Sequence, residues 1–402
     1  MYNLTDKQIV LGVTGSIAAY KSADLASKLT QAGALVDVAM TQEATRFVAP
    51  ITFQSVTGRR AYHDIWDEAA ETAELHVALA RRADLMLIAP ATATTIARLA
   101  LGLAEELVSL TALATKAPIL IAPAMDPHMW EHPATQEHVR TLESRGVLFV
   151  GPEEGRLASG QMGLGRMTEV PVLLGAVRSA LGRGGDLTGK KIVISAGGTR
   201  EAIDPVRFVG NESSGKMGFA IAEAARDRGA ETVLVSGVTA LPDPYGVRVL
   251  RVRSAVQMRD AVLAECEGAR ALIMAAAVAD YQPAEPVGEK IKREGRDSLS
   301  LTLARAPDIL SEAGRPAGLI KVGFAAESQD LIANARAKIE SKGLDLIVAN
   351  DITATDAGFS VDTNRVLVLD AKGGQEEWPL MTKYEVGWRI LDRILELIEG
   401  KE

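Results

Sequence analysis

Two glycine-rich segments of the chain have the composition of loops that bind anionic ligands. The longer one, Ser195–Gly218, follows the apolar run Lys191–Ile194 and leads into the helix-like stretch Phe219–Arg228. Glycine at the end of a strand lets the backbone approach a ligand closely, and the N-terminus of the next helix attracts negative charge. The segment is therefore typical of an anion-binding loop.

The second segment, Gly12–Lys21, has the pattern of a tight strand-to-helix turn. Gly15 permits the turn, and Ser16 can cap the helix and donate a hydrogen bond to a phosphate. The glycine spacing is not G-x-G-x-x-G, which disfavours a dinucleotide site. From this string alone, an ordinary turn without a ligand is an equally good interpretation.

Polar strings in the second half fall at the carboxyl ends of predicted strands or just beyond them, where open α/β sheets bind ligands. Lysines and backbone donors there suit positioning and charge neutralisation. From spacing alone, Lys338 and Lys342 also fit an exposed helix face, and Asp308 after Pro307 fits a helix N-terminus. The strings are Ala275–Tyr281, Lys290–Lys292, Ala306–Leu310, Gly323–Glu327 and Ala337–Lys342.

The elements that position these residues alternate between short apolar runs and helix-period stretches. Strands are predicted in the first half at Ile9–Val13, Leu35–Met40, Leu85–Ala89, Ile119–Ala122 and Val147–Val150, and helices at Ile17–Gln31, Ala93–Leu101 and Thr135–Arg145. In the second half, strands are predicted at Ile192–Ser195, Thr232–Ser236, Val247–Val252, Ala271–Met274, Leu319–Phe324 and Leu346–Ala349, with helices at Phe219–Arg228, Ala255–Cys266, Leu331–Lys342 and Tyr384–Ile398. Continuous apolar strands joined by helices indicate parallel sheets that are covered on both faces.

Each half therefore reads as a doubly wound, Rossmann-like α/β domain, the first of them flavodoxin-like. The glycine-rich, polar segment Leu181–Lys190 marks the boundary, which gives domains 1–185 and 186–402. A second irregular region, Tyr281–Leu299, is rich in charge, proline and glycine, so we expect a flap or protruding arm there.

Composition limits the class of protein. The 402 residues are 47% hydrophobic and 24% charged, with a formal net charge of −8, which is typical of globular domains and argues against nucleic acid or an anionic membrane as a partner. The single cysteine, Cys266, excludes an intramolecular disulfide, and no apolar run reaches the roughly 20 residues of a membrane span. With no secretory signal pattern at the N-terminus, a cytoplasmic protein is expected.

Four strings of the first half resemble, in this order, the flavin-dependent cysteine decarboxylases that act on phosphopantothenoylcysteine. The Ser195–Gly218 loop and the polar strings of the second half resemble phosphopantothenate–cysteine ligase. Together the chain resembles the bifunctional decarboxylase/ligase family of coenzyme A biosynthesis over nearly its whole length. The decarboxylase strings are Leu75–Arg81, Ala89–Arg98, Ala122–Trp130 and Gly155–Gly160 followed by Gly163–Met167.

For the first half, the resemblance implies bound FMN and a catalytic base at His76, although a lone histidine on a partly apolar helix is otherwise a packing residue. Asp126 and Ser159 stand where the family often has a substrate-binding asparagine and a proton-donating cysteine, so both are candidate catalytic residues. The cofactor positions implied are Gly15, Ser16, Ile17 and Thr41 for phosphate and ribose, and Thr92, Ala93, Thr94, Thr95 and Ala124 along the flavin and substrate.

For the second half, the resemblance implies that Asn211 holds phosphopantothenate and its activated acyl group, and that Lys290 reaches the active site from a loop. It also implies CTP with Mg²⁺ or a similar divalent cation, whose protein ligands remain unknown. The family often has Lys-Thr where Arg305 and Ala306 stand. The nucleotide positions implied are Ala276, Ala279, Asp280, Pro307, Asp308, Ile309, Leu310, Phe324, Lys338 and Lys342.

The resemblance implies CTP-dependent ligation of L-cysteine to 4′-phosphopantothenate, followed by decarboxylation to 4′-phosphopantetheine. It also implies a homo-oligomer of decarboxylase trimers and ligase dimers. Two alternatives remain open at this point. In one, the first half is an FMN-binding regulatory module, which Ser159 favours and His76 opposes; in the other, the chain is a nucleotide-binding scaffold without activity.

Overall fold

The structure, a computed structural model, describes residues 4–66, 74–158, 160–292, 298–314, 318–327, 331–351 and 361–400. The chain divides into two compact units, Met1–Gly182 and Arg183–Glu402. Among the described residues, no helix is both long and apolar enough to cross a membrane.

The first unit is built on a six-stranded parallel sheet in the order β3-β2-β1-β4-β5-β6. Its central strands are buried, β4 along its whole length and β1 from Ile9 onward, as expected for a sheet that is covered on both faces. A separate hairpin, β7–β8, follows the sheet. The strands are β1 Gln8–Val13, β2 Leu35–Met40, β3 Ala61–Tyr62, β4 Leu85–Ala91, β5 Ile119–Pro123, β6 Leu148–Phe149, β7 Glu153–Arg156 and β8 Met162–Arg166.

Eight α-helices connect or follow these strands: α1 Ala19–Gln31, α2 Pro50–Thr57, α3 Leu75–Arg82, α4 Ala93–Leu101, α5 Leu107–Ala114, α6 Pro127–Glu131, α7 Pro133–Ser144 and α8 Val170–Leu181. The strand order reverses between β1 and β4. Crevices at such a reversal, outside the carboxyl ends of the strands, are where open α/β sheets bind ligands. The loop that follows β1 begins at this point.

The second unit repeats the same order on an eight-stranded sheet, β13-β12-β9-β14-β17-β18-β19-β20. The first six strands are parallel, and β9 and β14 flank the reversal. Two hairpins, β10–β11 and β15–β16, lie outside the sheet. The strands are β9 Lys191–Ala196, β10 Arg200–Ala202, β11 Phe208–Gly210, β12 Glu231–Ser236, β13 Arg248–Arg251, β14 Ala271–Met274, β15 Tyr281–Pro283, β16 Leu303–Arg305, β17 Ile320–Glu327, β18 Leu346–Asp351, β19 Thr363–Asp370 and β20 Gln375–Thr382.

The helices of this unit are α9 Lys216–Asp227, α10 Ala255–Glu265, α11 Ile309–Glu312, α12 Leu331–Lys342 and α13 Lys383–Glu399. The apolar faces of α9 and α13 are buried in one core with the sheet, where Phe219, Ile221, Val386 and Ile390 pack together. Because α9 begins at Lys216, at the end of the Ser195–Gly218 segment, this core fixes the end of that glycine-rich loop.

The predicted α/β class is confirmed, and every predicted strand and helix is present within a few residues. One expectation is corrected: the second sheet is not wholly parallel, because β18–β19 and β19–β20 pair antiparallel. The irregular region that starts at Tyr281 is also more ordered than expected, because it opens with β15, which pairs with β16.

Candidate active sites

In the first unit, the glycine-rich loop after β1 is fastened to the end of β4. The Thr14 hydroxyl donates to the Pro90 carbonyl (2.7 Å) and accepts from the Thr92 N–H (3.1 Å). A Cβ atom on Gly15 would lie 2.5 Å from the Cβ of Glu43, so only glycine fits this turn. Sequence reasoning did not select Thr14, although it lies within the predicted loop.

The other predicted cofactor residues lie at the same edge of the sheet. Thr92 caps α4, where its hydroxyl accepts from the Thr95 N–H (3.3 Å), while Thr94 is exposed in the first turn of this helix. Thr41 follows β2 and is buried, with its hydroxyl accepting from the N–H of Ala44 (3.2 Å). The ends of β1, β2 and β4 therefore bring the predicted segments together.

A cavity of about 660 Å³ opens beside this edge. Ser16, Ile17, Ala124 and Asp126 line it, which brings four of the predicted residues into one site. His76, Thr41 and Thr92–Thr95 are not among its lining residues. His76 is half-buried in the first turn of α3.

Hairpin β7–β8, which we call the flap hairpin, supplies the opposite wall with Arg156, Leu157 and Ala158. Its second strand is bound tightly, because the Met125 N–H donates to the Gly165 carbonyl (3.0 Å) and a Cβ on Gly165 would lie 2.2 Å from the Met125 oxygen. Ser159, the candidate proton donor, lies outside the described residues.

Asp126 has a structural role that its sequence motif did not reveal. It is the N-cap of α6, and its carboxylate accepts from the N–H of His128 (2.9 Å). Asparagine caps a helix equally well, so the cap accounts for a residue of either type at this position.

The rim of the cavity is positively charged. Lys21 forms an ion pair with Glu169 (3.0 Å), and Arg166 pairs with the same carboxylate. The hydrogen bond from Lys21, together with both positive charges, holds the pKa of Glu169 below its usual range. The carboxylate therefore stays ionised and keeps two cations beside a cavity into which Arg156 also faces.

In the second unit, a cavity of about 560 Å³ lies beyond β14 and β17, and we call it the nucleotide cavity. It gathers segments from four separate parts of the chain. All the nucleotide positions that the sequence suggested, apart from Lys290, line it: Ala276, Ala279, Asp280, Pro307, Asp308, Ile309, Leu310, Phe324, Lys338 and Lys342.

Asp308 and Lys342 form a charged pair in this cavity, with 3.4 Å between the ammonium and the carboxylate. Asp308 also caps α11, accepting from the N–H (3.3 Å) and the hydroxyl (2.9 Å) of Ser311. Burial by itself would raise the pKa of Asp308, but these bonds and the charge of Lys342 outweigh it and lower the pKa. Asp308 is therefore an anion at neutral pH.

The backbone of Ala276 and Ala279 can offer acceptors to a base. Their N–H groups donate to the hydroxyls of Ser195 (3.1 Å) and Thr199 (2.9 Å). What remains for a ligand is the carbonyl oxygen of each residue, which suits an exocyclic amino group.

A second cavity, of about 530 Å³, contains the glycine-rich loop and Asn211, and we call it the acyl cavity. The amide of Asn211 donates to the Val278 carbonyl (3.0 Å). Ala276, Val278, Phe324 and Lys338 line both cavities, so the two adjoin along one wall. Ligands of the two cavities would therefore border the same four residues.

Three further residues line the acyl cavity but were not predicted from the sequence. Lys216 starts α9 and pairs with Asp362 (2.7 Å), whereas Lys383 starts α13 and donates to the Val361 carbonyl. Burial and the neighbouring charge of Lys216 lower the pKa of Lys383 to about 8. The third is Asn350.

The side-chain oxygen of Asn350 is buried at this cavity and has no hydrogen-bond partner among the described residues. Lys216 lies within the loop that the sequence singled out. The other two belong to no recognisable motif.

Lys290 is exposed on the loop after β15 and lines neither cavity. Within the described ranges, no group of three or more His, Cys, Asp or Glu side chains is arranged to hold a metal ion.

Family models match both halves of the chain. The model "Flavoprotein" matches residues 1–182, and the model "DNA/pantothenate metabolism flavoprotein C-terminal domain" matches residues 187–398. Among curated proteins, the coenzyme A biosynthesis bifunctional protein CoaBC of Bacillus subtilis is 44% identical over 98% of both chains. The protein of the same name from Escherichia coli K12 is 42% identical over 99% of both.

Solved structures resemble each unit separately. The C-terminal domain of a CoaBC protein is 40% identical, covers 53% of this chain and 98% of its own, and has a TM-score of 0.46. The FMN-dependent cysteine decarboxylase SpaF is 32% identical, covers 44% of this chain and 97% of its own, and has a TM-score of 0.39.

Proposed function

The chain belongs to the family of coenzyme A biosynthesis bifunctional proteins, and from this premise we propose the reaction of each unit. The second unit ligates L-cysteine to 4′-phosphopantothenate with CTP. The first unit decarboxylates the product, 4′-phosphopantothenoylcysteine, to 4′-phosphopantetheine. We propose 1–185 and 186–402 as the limits of the two activities.

The adjoining cavities of the second unit are the observation that best supports ligation. With CTP in the nucleotide cavity and phosphopantothenate in the acyl cavity, the substrate carboxylate attacks the α-phosphate across the shared wall. Pyrophosphate leaves, and the cysteine amine then displaces CMP from the acyl-cytidylate. Lys338, at the shared wall, and Lys342 neutralise phosphate charge, while the carbonyls of Ala276 and Ala279 accept from the cytosine amino group.

The residues of the first unit fit FMN. The narrow turn at Gly15 and the start of α1 suit one phosphate, and Ile17, Ala124 and Met125 give the cavity an apolar wall. FMN supplies the two-electron chemistry that lets the cysteine carboxylate leave as CO2. Asp126 and the flap hairpin orient the substrate.

Proton transfer in the first unit is assigned to three side chains. His76 takes a proton from the substrate thiol. Asp126 or Ser159 returns a proton to carbon.

Pyrophosphate release separates this proposal from a scaffold without activity. Phosphopantothenate and CTP should release pyrophosphate before cysteine is added, and EDTA should stop the release because the cation comes with the nucleotide. Asn211→Asp should abolish it while decarboxylation of supplied phosphopantothenoylcysteine continues. Flavin extracted from the protein should be FMN and not FAD. Absence of CTP-dependent pyrophosphate release would rule out the ligase assignment.

The remaining parts of the proposal concern the protein in the cell. We propose a cytoplasmic homo-oligomer that joins decarboxylase trimers through ligase dimers. Its ligands are small molecules, and neither nucleic acid nor a membrane is a partner.

A further inference from the structure

The loop that bears Lys290 is hydrogen-bonded to hairpin β10–β11 on both sides of the lysine. Before it, the Val287 N–H donates to the Ile203 carbonyl (2.9 Å). After it, the Ile291 N–H donates to the Asp204 carboxylate (3.2 Å), and Arg207 donates to the Ile291 carbonyl (2.8 Å). The N–H and the carbonyl of Ile291, the residue after Lys290, are therefore both bound by the turn that joins β10 and β11.

Asp204 is the centre of this arrangement. Its side chain is fully buried and accepts from the N–H groups of Val206 and Arg207, both at 2.8 Å, as well as from Ile291. The Arg207 guanidinium lies 3.6 Å away. Burial alone would raise the pKa of Asp204, yet these donors hold it below its usual range. The carboxylate thus stays ionised and acts as an acceptor only.

We propose that Asp204 is a positioning residue of the ligase reaction, which fixes the base of the Val287–Ile291 loop and so sets where the Lys290 ammonium can reach. This rests on the proposed role of Lys290 in ligation. Asp204 lines neither the nucleotide cavity nor the acyl cavity, and its side chain is fully buried, so its effect on the reaction passes through the loop.

Asp204 affects the reaction by limiting the conformations of the loop that carries Lys290. Residues 284–290 are exposed, so few packing contacts are available to order Lys290. The three hydrogen bonds to Val287 and Ile291 limit the freedom of the backbone that Lys290 would otherwise have. Without Asp204, the loop samples more conformations, and the ammonium spends less time where negative charge develops.

The experiment compares Asp204→Ala, Asp204→Asn and Glu201→Gln in the full chain. Glu201 is a matched control, because it is a buried carboxylate on the same hairpin that accepts from the Ala255 N–H (2.9 Å), away from the Lys290 loop. We expect Asp204→Ala to lower the ligase kcat at least about tenfold, with the KM for CTP changed less than about twofold. Asp204→Asn should retain part of the rate, since its amide oxygen still accepts, and Glu201→Gln should stay within about twofold of the parent.

A double variant tests whether Asp204 acts through Lys290. Lys290→Gln with Asp204→Ala should be no slower than Lys290→Gln alone. The proposal would be overturned if the losses in kcat of the two single variants multiplied in the double variant. It would also be overturned if Asp204→Ala raised the KM for CTP and left kcat unchanged. If Asp204→Ala fails to fold, Asp204→Asn decides the matter: a parental kcat in a folded Asp204→Asn protein contradicts it.

Different results would refute the positioning role of Asp204 and the ligase activity of the second unit. A fast Asp204→Ala enzyme beside a slow Lys290→Gln enzyme refutes only the positioning role. A parent protein that releases no pyrophosphate from CTP refutes the ligase assignment itself. Decarboxylation of supplied phosphopantothenoylcysteine, which should be unchanged in every variant, reports that the first unit is folded, and urea unfolding of each variant reports on the second.

Discussion

At the scale of single residues, Lys383 places a buried ammonium in the wall of the acyl cavity. Its pKa in the folded chain is about 8, below the ordinary 10.5, so it loses its proton as the pH rises through 8. We therefore expect the KM for phosphopantothenate, which is an anion, to rise about tenfold between pH 7 and 9.5, an attraction of roughly 1.4 kcal/mol. Steady-state kinetics at saturating CTP measure this, and Lys383→Met should flatten the profile.

The lowered pKa of Lys383 also makes the free energy of unfolding depend on pH. Between pH 8 and 10.5 the unfolded chain binds the Lys383 proton more tightly than the folded chain does, so the free energy of unfolding from this group rises with pH in that range. Urea unfolding at both ends of the range should show the rise in the parent and lose it in Lys383→Met. An identical pH dependence in the two proteins contradicts the burial argument.

Asp126 permits a test of the protonation step. Because asparagine also caps α6, Asp126→Asn should preserve the fold, with the melting temperature changed by no more than about 2 °C. If Asp126 delivers the proton, flavin reoxidation slows at least about tenfold while CO2 release is unaffected, and Ser159→Cys partly restores it. Anaerobic stopped-flow absorbance follows the flavin, and trapped CO2 follows the other step. Equal slowing of both steps removes Asp126 as the donor.

That the residues suggested for a nucleotide line one cavity was predictable, because they follow the carboxyl ends of apolar strands. Their binding of a nucleotide stays a prediction. Lys383 and Asn350 belong to no motif and were not predictable. Asp204 lies within the Ser195–Gly218 segment, but its bond to Ile291 forms only when distant segments meet. The same holds for Lys383 of α13, which comes beside Lys216 of α9.

At the scale of elements, the flap hairpin depends on its close contact with the loop after β5. Gly165→Ala would put a Cβ 2.2 Å from the Met125 oxygen, an overlap that costs about 1–3 kcal/mol and moves the hairpin. We expect decarboxylation to fall at least about tenfold and ligation to remain. Gly155→Ala is the control on the same hairpin, because the Cβ would meet only the flexible side chain of Arg166, no closer than 3.3 Å. Equal decarboxylase rates in the two variants would show that the close contact between Gly165 and Met125 is not needed for decarboxylation.

The elements that sequence patterns predicted well are the buried parallel strands, whose continuous apolar runs are unambiguous. Strand β20 has no such run, since Gln375, Glu376 and Glu377 precede Trp378 and only the tryptophan is buried. Strand β3 was too short to show a period. The antiparallel edge of the second sheet therefore appeared only in the structure.

At the scale of the whole molecule, hairpins β10–β11 and β15–β16 expose apolar side chains at Phe208, Tyr281 and Leu303, among others. We expect ligase units to pair through them, because such patches mark association surfaces. Light scattering should give a mass well above the 42.6 kDa of one chain, and Leu301→Lys with Leu303→Lys should lower it. A parent protein of monomeric mass contradicts the assembly.

The product formed from phosphopantothenate, cysteine and CTP tests the bifunctional account most directly. Mass spectrometry of the complete reaction should show 4′-phosphopantetheine with equal amounts of CMP, pyrophosphate and CO2. Accumulation of 4′-phosphopantothenoylcysteine without CO2 release, in protein that contains FMN, would show that the first unit is not a working decarboxylase and would contradict the account.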